Sequence, residues 1–199
     1  MIYEYINGES LLDLIRKKKF LNENESKKIF KQIICGVKYL HENFVVHRDL
    51  KIENVLIKND GTVKIIDFGL SNFYNKNNYL NTFCGSLQFA APELLKGIVY
   101  EGPEIDIWSL GIILFVMVNG KLPFDDKEIS MLHEKIKKGE YKWTITPSPS
   151  LKRLVNNMIQ LDPLKRYSMK RVEQSEWLNG IKCESCQVSE NRENSENRE

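Results

Sequence analysis

Two short polar motifs around a predicted β-hairpin constrain this chain more than any other feature. The first is His-Arg-Asp-Leu-Lys-Ile-Glu-Asn at residues 47–54, and the second is Asp-Phe-Gly at residues 67–69. Between them lie two short apolar segments that meet at Asn59-Asp60-Gly61, a strong hairpin signal. Because hairpin strands are antiparallel, we expect both motifs at the same end of the strand pair.

The side chains in these motifs match the needs of phosphoryl transfer. Asp49 and Asn54 precede the first strand, and Asp67 follows the second. Phosphoryl transfer uses a carboxylate to orient and deprotonate the attacking hydroxyl, and hard oxygen ligands to hold Mg²⁺. A lone Asp in a loop is more often an ordinary helix cap, so this interpretation depends on the motif around Asp49.

A third ordered motif, Ala91-Pro92-Glu93, completes a resemblance to the eukaryotic protein kinases, from the first residue to about Gly180. The resemblance implies a mainly α fold with short β hairpins, a protein-kinase-like C-lobe whose small N-lobe is almost entirely absent. Residues 1–8 would be the last strand of the small lobe and the hinge, and residues 9–180 the large lobe. Residues 183–199 are too polar to bury a core and are expected to be a disordered tail.

The resemblance also assigns catalytic roles and implies ATP and Mg²⁺ as cofactors. Asp49 resembles the catalytic base, and Lys51 resembles the lysine with which Ser/Thr kinases steady the γ-phosphate. Asn54 and Asp67 resemble the metal ligands. Tyr3 would be the gatekeeper. The implied cofactor-binding residues are Glu4, Ile6, Leu56, Asn54 and Asp67.

Regulation is implied by a stretch that starts at Thr82, Thr-Phe-Cys-Gly-Ser. It resembles AMP-activated kinases, microtubule-affinity-regulating kinases and the fungal Kin-type polarity kinases. Thr82 would be phosphorylated by an upstream activating kinase, and Arg48 would pair with the phosphate. Ser86, which ends this stretch, falls where a Ser or Thr touches the catalytic Asp and Lys.

Structural roles are implied for several other residues. Glu93 and Arg166 resemble a buried ion pair, and Asp106 resembles the helix carboxylate that holds the catalytic-loop backbone. His47 and Phe68 are expected to stack in the core.

Hydrophobic periodicity predicts the framework around these motifs. Residues 1–6 alternate like a strand that Asn7-Gly8 ends, and residues 44–46 form another short strand, whereas residues 70–90 have no clear period. The segment from Glu104 to Val118 is the most apolar and should be a central, buried helix. Other helices are expected at residues 10–19, 24–41, 126–138, 150–160 and 168–175, with a short one after Pro92.

Composition narrows the possible partners and compartments. The net charge of +2 gives no argument for nucleic acid, and no apolar run approaches the length of a membrane span. The four cysteines are interpreted as free thiols of a reducing compartment, which predicts a cytoplasmic location. The basic residues 16–19 leave nuclear import open, although a solvated helix C-terminus, favoured by the helix dipole, is the commoner explanation of such a run.

Two functions stay open at this point. The sequence contains no glycine-rich phosphate loop and no matching strand lysine, which the kinase small lobe normally provides. The first function is a Ser/Thr kinase that acts on protein substrates. The alternative is a catalytically inactive large lobe that serves as a docking or scaffold module.

Overall fold

The computed structural model describes residues 4–74, 80, 85–98, 100 and 102–181. Their secondary structure is mainly helical, with two small antiparallel sheets. The helices are α1 (Leu11–Lys18), α2 (Glu23–Glu42), α3 (Pro92–Leu95), α4 (Pro103–Asn119), α5 (Ile129–Lys138), α6 (Pro149–Met158) and α7 (Met169–Glu173). The strands are β1 (Gly8–Ser10), β2 (Val45–Val46), β3 (Val55–Lys58), β4 (Val63–Ile65) and β5 (Asn72–Phe73).

Helix α4 forms the centre of the molecule. Every residue from Ile105 to Asn119 is buried, as expected for a helix that is apolar on all sides. Pro103 occupies the first turn, where its missing N–H costs nothing, and Gly120 ends the helix in the left-handed conformation at φ 71°. The prediction of a central buried helix is confirmed.

Helix α2 packs beside α4 and against β4. Its buried side chains repeat every three to four residues, which gives one apolar face. The Asn22 side chain accepts a hydrogen bond from the Glu25 N–H and begins the helix. The predicted helix is therefore confirmed with Asn22 as its cap. The buried residues of this helix are Ser26, Ile29, Phe30, Ile33, Ile34, Val37 and His41.

The predicted hairpin is present as β3 and β4. Val55 pairs with Ile65 and Ile57 pairs with Val63 in an antiparallel register. The turn between them is stabilised by the Gly61 N–H, which donates to the Lys58 carbonyl at 2.8 Å. This arrangement brings the ends of the two polar motifs together, as their spacing predicted.

The first strand that the structure describes differs in position from the strand predicted at residues 1–6. Residues 1–3 lie outside the described residues, residues 4–7 have no regular structure, and β1 begins at Gly8, which was interpreted as a break. Gly8 pairs with Lys58 of β3, and a Cβ at this position would lie 2.1 Å from the Ile57 carbonyl oxygen. Glycine therefore fits here because the neighbouring backbone is so close, a tertiary contact that alternation cannot reveal.

Other differences concern element ends and one short strand. The helix predicted from residue 126 begins at Ile129, because Asp126 instead accepts the Glu128 N–H in a local turn. Strand β5 was missed within residues 70–90, since two residues are too few to show a period. It pairs with β2, with Val46 opposite Asn72.

Two further findings bear on the composition argument. Cys35 is disulfide-bonded, so the expectation of free thiols is wrong for this residue. Cys84, Cys183 and Cys186 lie outside the described residues. Across the part of the chain that the structure describes, no helix has both the length and the hydropathy needed to cross a lipid bilayer.

Candidate active site

A carboxylate of α4 binds the backbone of the loop that carries Asp49. Asp106 is fully buried, and its Oδ2 accepts the His47 N–H while its Oδ1 accepts the Arg48 N–H, both at 3.0 Å. Arg48 adopts a left-handed conformation at φ 67°, which is uncommon for a residue with a side chain. The two charge-assisted hydrogen bonds hold this unfavourable backbone in place.

A histidine on α2 shares the same carboxylate. His41 Nε2 lies 2.9 Å from Asp106 Oδ2, and the His41 carbonyl accepts a hydrogen bond from the Tyr74 hydroxyl at 2.8 Å. The sequence analysis assigned no role to His41 or Tyr74. His41 lies in the last turn of α2 and belongs to none of the sequence motifs. Its contact with Asp106 therefore becomes apparent only from the packing of α2 on α4.

Asp49 is buried at the centre of a hydrogen-bond network. Its Oδ2 accepts from Lys51 Nζ at 2.8 Å, and its Oδ1 accepts from the Ser86 N–H at 2.9 Å and the Ser86 hydroxyl at 3.1 Å. Lys51 Nζ also donates to Ser86 Oγ at 2.9 Å. The structure thus brings together the three residues that the sequence grouped by resemblance alone.

These contacts set the charge state of Asp49. Burial by itself would raise the pKa of this carboxyl, but the hydrogen bonds from Lys51 and Ser86 and the charge of Lys51 outweigh it. The pKa of Asp49 is therefore held below its usual range. A carboxylate with a lowered pKa is ionised at neutral pH and able to accept a proton.

Asn54 and Asp67 flank the hairpin as predicted. The Ile66 N–H donates to the Asn54 carbonyl at 3.0 Å, which places Asp67 one residue beyond the contact. Asp67 is solvent-exposed, has φ 65°, and accepts the Gly69 N–H at 3.3 Å. Asn54, at the end of a 3₁₀ turn (Ile52–Asn54), and Asp67, two residues past β4, therefore lie at the same end of the hairpin.

The side-chain oxygens of Asn54 and Asp67 are suitable ligands for a hard cation such as Mg²⁺. Within the described residues, Asn54 Nδ2 donates to the Asp49 carbonyl at 2.9 Å and to Asp49 Oδ2 at 3.3 Å, whereas Asn54 Oδ1 makes no hydrogen bond. Asn54 Oδ1 and the exposed Asp67 carboxylate are the oxygens available for a metal. Among the described residues, no three His, Cys, Asp or Glu side chains group into a site of their own. A cation held here would accordingly need further ligands from water or phosphate.

Arg48 reaches from the catalytic loop towards the segment that follows Asp67. Its Nε donates to the Leu70 carbonyl at 2.6 Å. Its Nη1 is buried and has no hydrogen-bond partner among the described residues. Thr82, the predicted phosphorylation site, lies outside the described residues.

Glu93 and Arg166 come together as a buried pair. Arg166 Nη1 lies 2.6 Å from Glu93 Oε1, and Nη2 lies 3.0 Å from Oε2. The guanidinium also donates to the Glu104 and Gln160 carbonyls at 2.7 and 3.0 Å. One side chain therefore joins α3, the start of α4 and the segment after α6.

The residues implied for nucleotide contact lie beside the same hairpin. The Glu4 carboxylate is 3.8 Å from Lys64 Nζ of β4, and Leu56 of β3 pairs with Ser10 of β1. Ile6 is half-buried. Tyr3 lies outside the described residues.

His47 and Phe68 are in contact, but Phe68 is not in the core. Their ring centroids are 5.0 Å apart, and His47 Nε2 lies 3.0 Å from the Ile66 carbonyl oxygen. His47 is fully buried, whereas Phe68 is 44% exposed. The expectation of a core position is wrong for Phe68, since nearly half of its surface is exposed.

Comparison with known proteins defines the class to which this site belongs. The protein kinase domain model matches residues 1–178. The chain belongs to the protein kinase family.

The relatives that it resembles are named as serine/threonine or protein kinases. It is 54% identical over 179 residues to a probable serine/threonine-protein kinase KIN1 homolog of Enterocytozoon bieneusi, which covers 90% of this chain and 30% of the relative. It is 50% identical over 178 residues to protein kinase kin1 of Schizosaccharomyces pombe, covering 89% of this chain and 20% of that protein. Serine/threonine-protein kinase ppk25 of the same yeast is 48% identical over 179 residues, or 89% of this chain and 42% of its own length. The chain thus spans between a fifth and about two fifths of these relatives.

Proposed function

We propose that this chain contributes the catalytic large lobe of a protein serine/threonine kinase, which transfers the γ-phosphoryl group of ATP to protein side chains. The observation that carries the proposal is the Asp49 carboxylate, buried and held between Lys51 and Ser86. Residues 9–180 are proposed as the large lobe, and residues 1–8 as the last strand of the small lobe and the hinge. Support comes from the helical body around α4 and from the kinase family match.

In this proposal Asp49 acts as the base. The substrate hydroxyl donates a hydrogen bond to the carboxylate, which aligns its oxygen for attack. The proton passes to Asp49 as the new oxygen–phosphorus bond forms, while the bond from the γ-phosphorus to the β,γ-bridging oxygen breaks and ADP leaves. Lys51 lies next to the attacking group, where its ammonium stabilises negative charge on the transferred phosphoryl group. Mg·ATP supplies the phosphoryl group and neutralises its charge.

Asn54 and Asp67 are proposed to hold Mg²⁺. Their oxygens come from the two ends of the β3–β4 hairpin, and Asp106 fixes the loop before β3 by binding the backbone of His47 and Arg48. Glu4, Ile6 and Leu56 are proposed to contact the adenine side of the nucleotide, as the kinase resemblance implies; the Glu4 side chain is near Lys64 of β4, and Leu56 belongs to β3.

Regulation by phosphorylation of Thr82 is the second part of the proposal. The buried Nη1 of Arg48, which has no hydrogen-bond partner among the described residues, is the group that a phosphate would satisfy. A guanidinium forms stronger hydrogen bonds to phosphate than to a carbonyl oxygen. An upstream kinase would add this phosphate. We also propose that the chain lies on the branch that includes AMP-activated, microtubule-affinity-regulating and Kin-type polarity kinases, which its likeness to kin1 supports.

The cytoplasmic location, with nuclear entry as the alternative, stays a prediction. The disulfide at Cys35 removes the cysteine argument that supported a reducing compartment. Imaging the fluorescently tagged protein decides between the two compartments, and the Lys17→Gln/Lys18→Gln variant tests whether the basic end of α1 directs import.

The test of the proposed activity is phosphoryl transfer from labelled Mg·ATP to a mixture of serine- and threonine-containing peptides, using the full-length gene product. Asp49→Asn should lower kcat by about 10²- to 10⁴-fold, the usual contribution of a general base. Asp60→Asn is the matched control, because this carboxylate is exposed on the hairpin turn, and it should retain full activity. Equal activity of wild type and Asp49→Asn would overturn the proposal. No activity in a folded wild-type protein would leave the docking module as the function.

A further inference from the structure

A cavity outside the catalytic loop carries a second inference. Its volume is about 330 Å³, at the small end of the range for ligand sites, and it lies between α6, α7 and the turn at residues 174–176. It shares no residue with the Asp49 network. The residues that define its chemistry are Arg153, Tyr167, Arg171, Gln174, Ser175 and Glu176.

Two guanidinium groups from different helices line this cavity. Arg171 of α7 lies over the Tyr167 ring at 5.9 Å, an interaction that limits how the guanidinium plane can move. Arg153 of α6 is 3.2 Å from Glu176 Oε2, but both side chains are more than half exposed, at 62% and 68%. Such an exposed ion pair is weak, so a stronger anion can take over the Arg153 guanidinium.

A serine that lines the same cavity has unmet hydrogen-bonding capacity. Ser175 Oγ is inaccessible to solvent in this rotamer and has no hydrogen-bond partner in the described part of the chain. Buried polar atoms almost always have a partner, so a Ser175 side chain that rotates into the cavity would gain one from a ligand or water. The neighbouring Gln174 side chain also lines the cavity and adds an amide donor.

The combined donors favour an anion with several acceptor oxygens. Two guanidinium groups, an amide and a hydroxyl exceed what one carboxylate can accept, whereas a phosphomonoester offers three strongly accepting oxygens and more than one negative charge. The cavity is also larger than a single tetrahedral ion, and Leu154 and Tyr167 provide an apolar wall for the chain that carries the phosphate. We propose that this cavity binds a phosphorylated serine or threonine side chain of a partner protein.

Binding is measured by fluorescence anisotropy, with the full-length protein and a fluorescein-labelled peptide Ala-Gly-pSer-Gly-Ala as probe. The phosphorylated peptide should bind, and its unphosphorylated form should not. Arg171→Gln and Arg153→Gln should each raise Kd about tenfold or more, because each removes charge-assisted hydrogen bonds to the phosphate. Glu176→Gln should lower Kd several-fold, because it removes a like charge and releases Arg153.

Matched control variants distinguish peptide binding in this cavity from non-specific electrostatic attraction and from peptide binding at Arg48. Lys170→Gln removes a charge next to Arg171 on α7 outside the cavity, and Arg16→Gln removes an arginine on α1; both should leave Kd unchanged. An equal loss in Lys170→Gln would overturn the proposal. So would a loss in Arg48→Gln without one in Arg171→Gln. Competition by inorganic phosphate at the same concentration as the peptide would also overturn it, because it would mean that the site takes a free ion.

This inference does not depend on the proposed kinase activity. The binding assay contains no ATP, and the variants lie outside the Asp49 network, so each proposal can fail without the other. Circular dichroism melting curves of the variants should match those of the wild type, since both arginines are surface residues. The conservative Arg171→Lys variant provides a second test. It keeps the positive charge but loses the planar guanidinium that can bind two phosphate oxygens at once, so its Kd should lie between the wild-type and Arg171→Gln values.

Discussion

Arg166 and Glu93 form a two-point ion pair in which both side chains are buried. The distances are 2.6 Å from Nη1 to Oε1 and 3.0 Å from Nη2 to Oε2. The Trp108 ring covers the guanidinium at 5.1 Å. Two further N–H groups of Arg166 donate to the Glu104 and Gln160 carbonyls, and both side chains of the pair are almost inaccessible to water.

Arg166→Met should destabilise the protein by about 3–5 kcal/mol, because it leaves the Glu93 carboxylate buried without its partner. The free energy of unfolding is measured by urea titration. Lys165→Met is the control: its ion pair with Asp162 is exposed and long, at 3.6 Å, so its loss should cost less than about 1 kcal/mol. Similar losses in both variants would contradict the role of burial.

Asp106→Asn should disorder the catalytic loop. The carboxylate accepts from the His47 and Arg48 backbone and contacts His41, whereas an amide offers one acceptor oxygen and turns an NH₂ group towards a donor. We expect kcat to fall at least tenfold and the free energy of unfolding to fall by about 2 kcal/mol. Hydrogen exchange of the Arg48 amide should also accelerate. Asp125→Asn, at an exposed side chain, is the control and should change none of the three.

The pH dependence of Asp49 follows from its lowered pKa. Since the folded pKa lies below that of the unfolded chain, its contribution to stability is present above the ordinary aspartate value of about 3.9 and is lost as the pH falls through the folded pKa. Lys51→Met removes a hydrogen bond and a positive charge, so the pKa of Asp49 should rise. A carbon NMR titration of the Asp49 carboxyl measures this directly and needs no activity.

The corresponding control is Lys58→Met, which removes a lysine that contacts Asp60 rather than Asp49. The Asp49 titration should be unchanged in this variant. An unchanged titration in Lys51→Met would mean that burial and Ser86 alone determine the pKa.

Substitutions at Asn54 and Asp67 should change the Mg²⁺ dependence of phosphoryl transfer. Asp67→Asn should abolish transfer activity at physiological Mg²⁺, and Asn54→Ala should raise the Mg²⁺ concentration needed for half-maximal rate, because each removes one protein oxygen ligand. Chelation by EDTA should stop transfer by the wild type. Asn59→Ala, on the hairpin turn, is the matched control. A Mg²⁺ requirement that Asn54→Ala leaves unchanged would place the metal elsewhere.

Gly120→Ala should be more destabilising than Gly61→Ala, although both glycines have positive φ, at 71° and 84°. In each variant, an alanine in the left-handed backbone conformation lowers the free energy of unfolding by about 1–2 kcal/mol. Only at Gly120 would the new Cβ also collide with backbone, lying 2.2 Å from the Lys19 carbonyl oxygen, whereas nothing lies within 4 Å of Gly61. Thermal unfolding of the pair separates conformational strain from close packing, and equal losses would show that strain alone matters.

Much of this fold could be predicted because its signals are local. The apolar run from Ile105 to Val118 predicts a buried helix independently of the elements that pack against it. Asn59-Asp60-Gly61 between apolar segments likewise predicts a hairpin. The errors arose where a distant backbone decided the outcome. Strand β1 begins at Gly8 because β3 lies against it, and β5 consists of two residues that are ordered by pairing with β2.

The sequence by itself determined the inventory of the site: Asp49, Lys51, Asn54 and Asp67 at kinase spacing on either side of a hairpin. Only the tertiary structure decided which groups restrain Asp49. Ser86 reaches it from 37 positions along the chain, and the contacts of Asp106 with Arg48 and His41 span 58 and 65 positions. The physical reason is that residue types and turns are encoded locally, whereas burial and hydrogen-bond partners exist only after the helices have packed around α4.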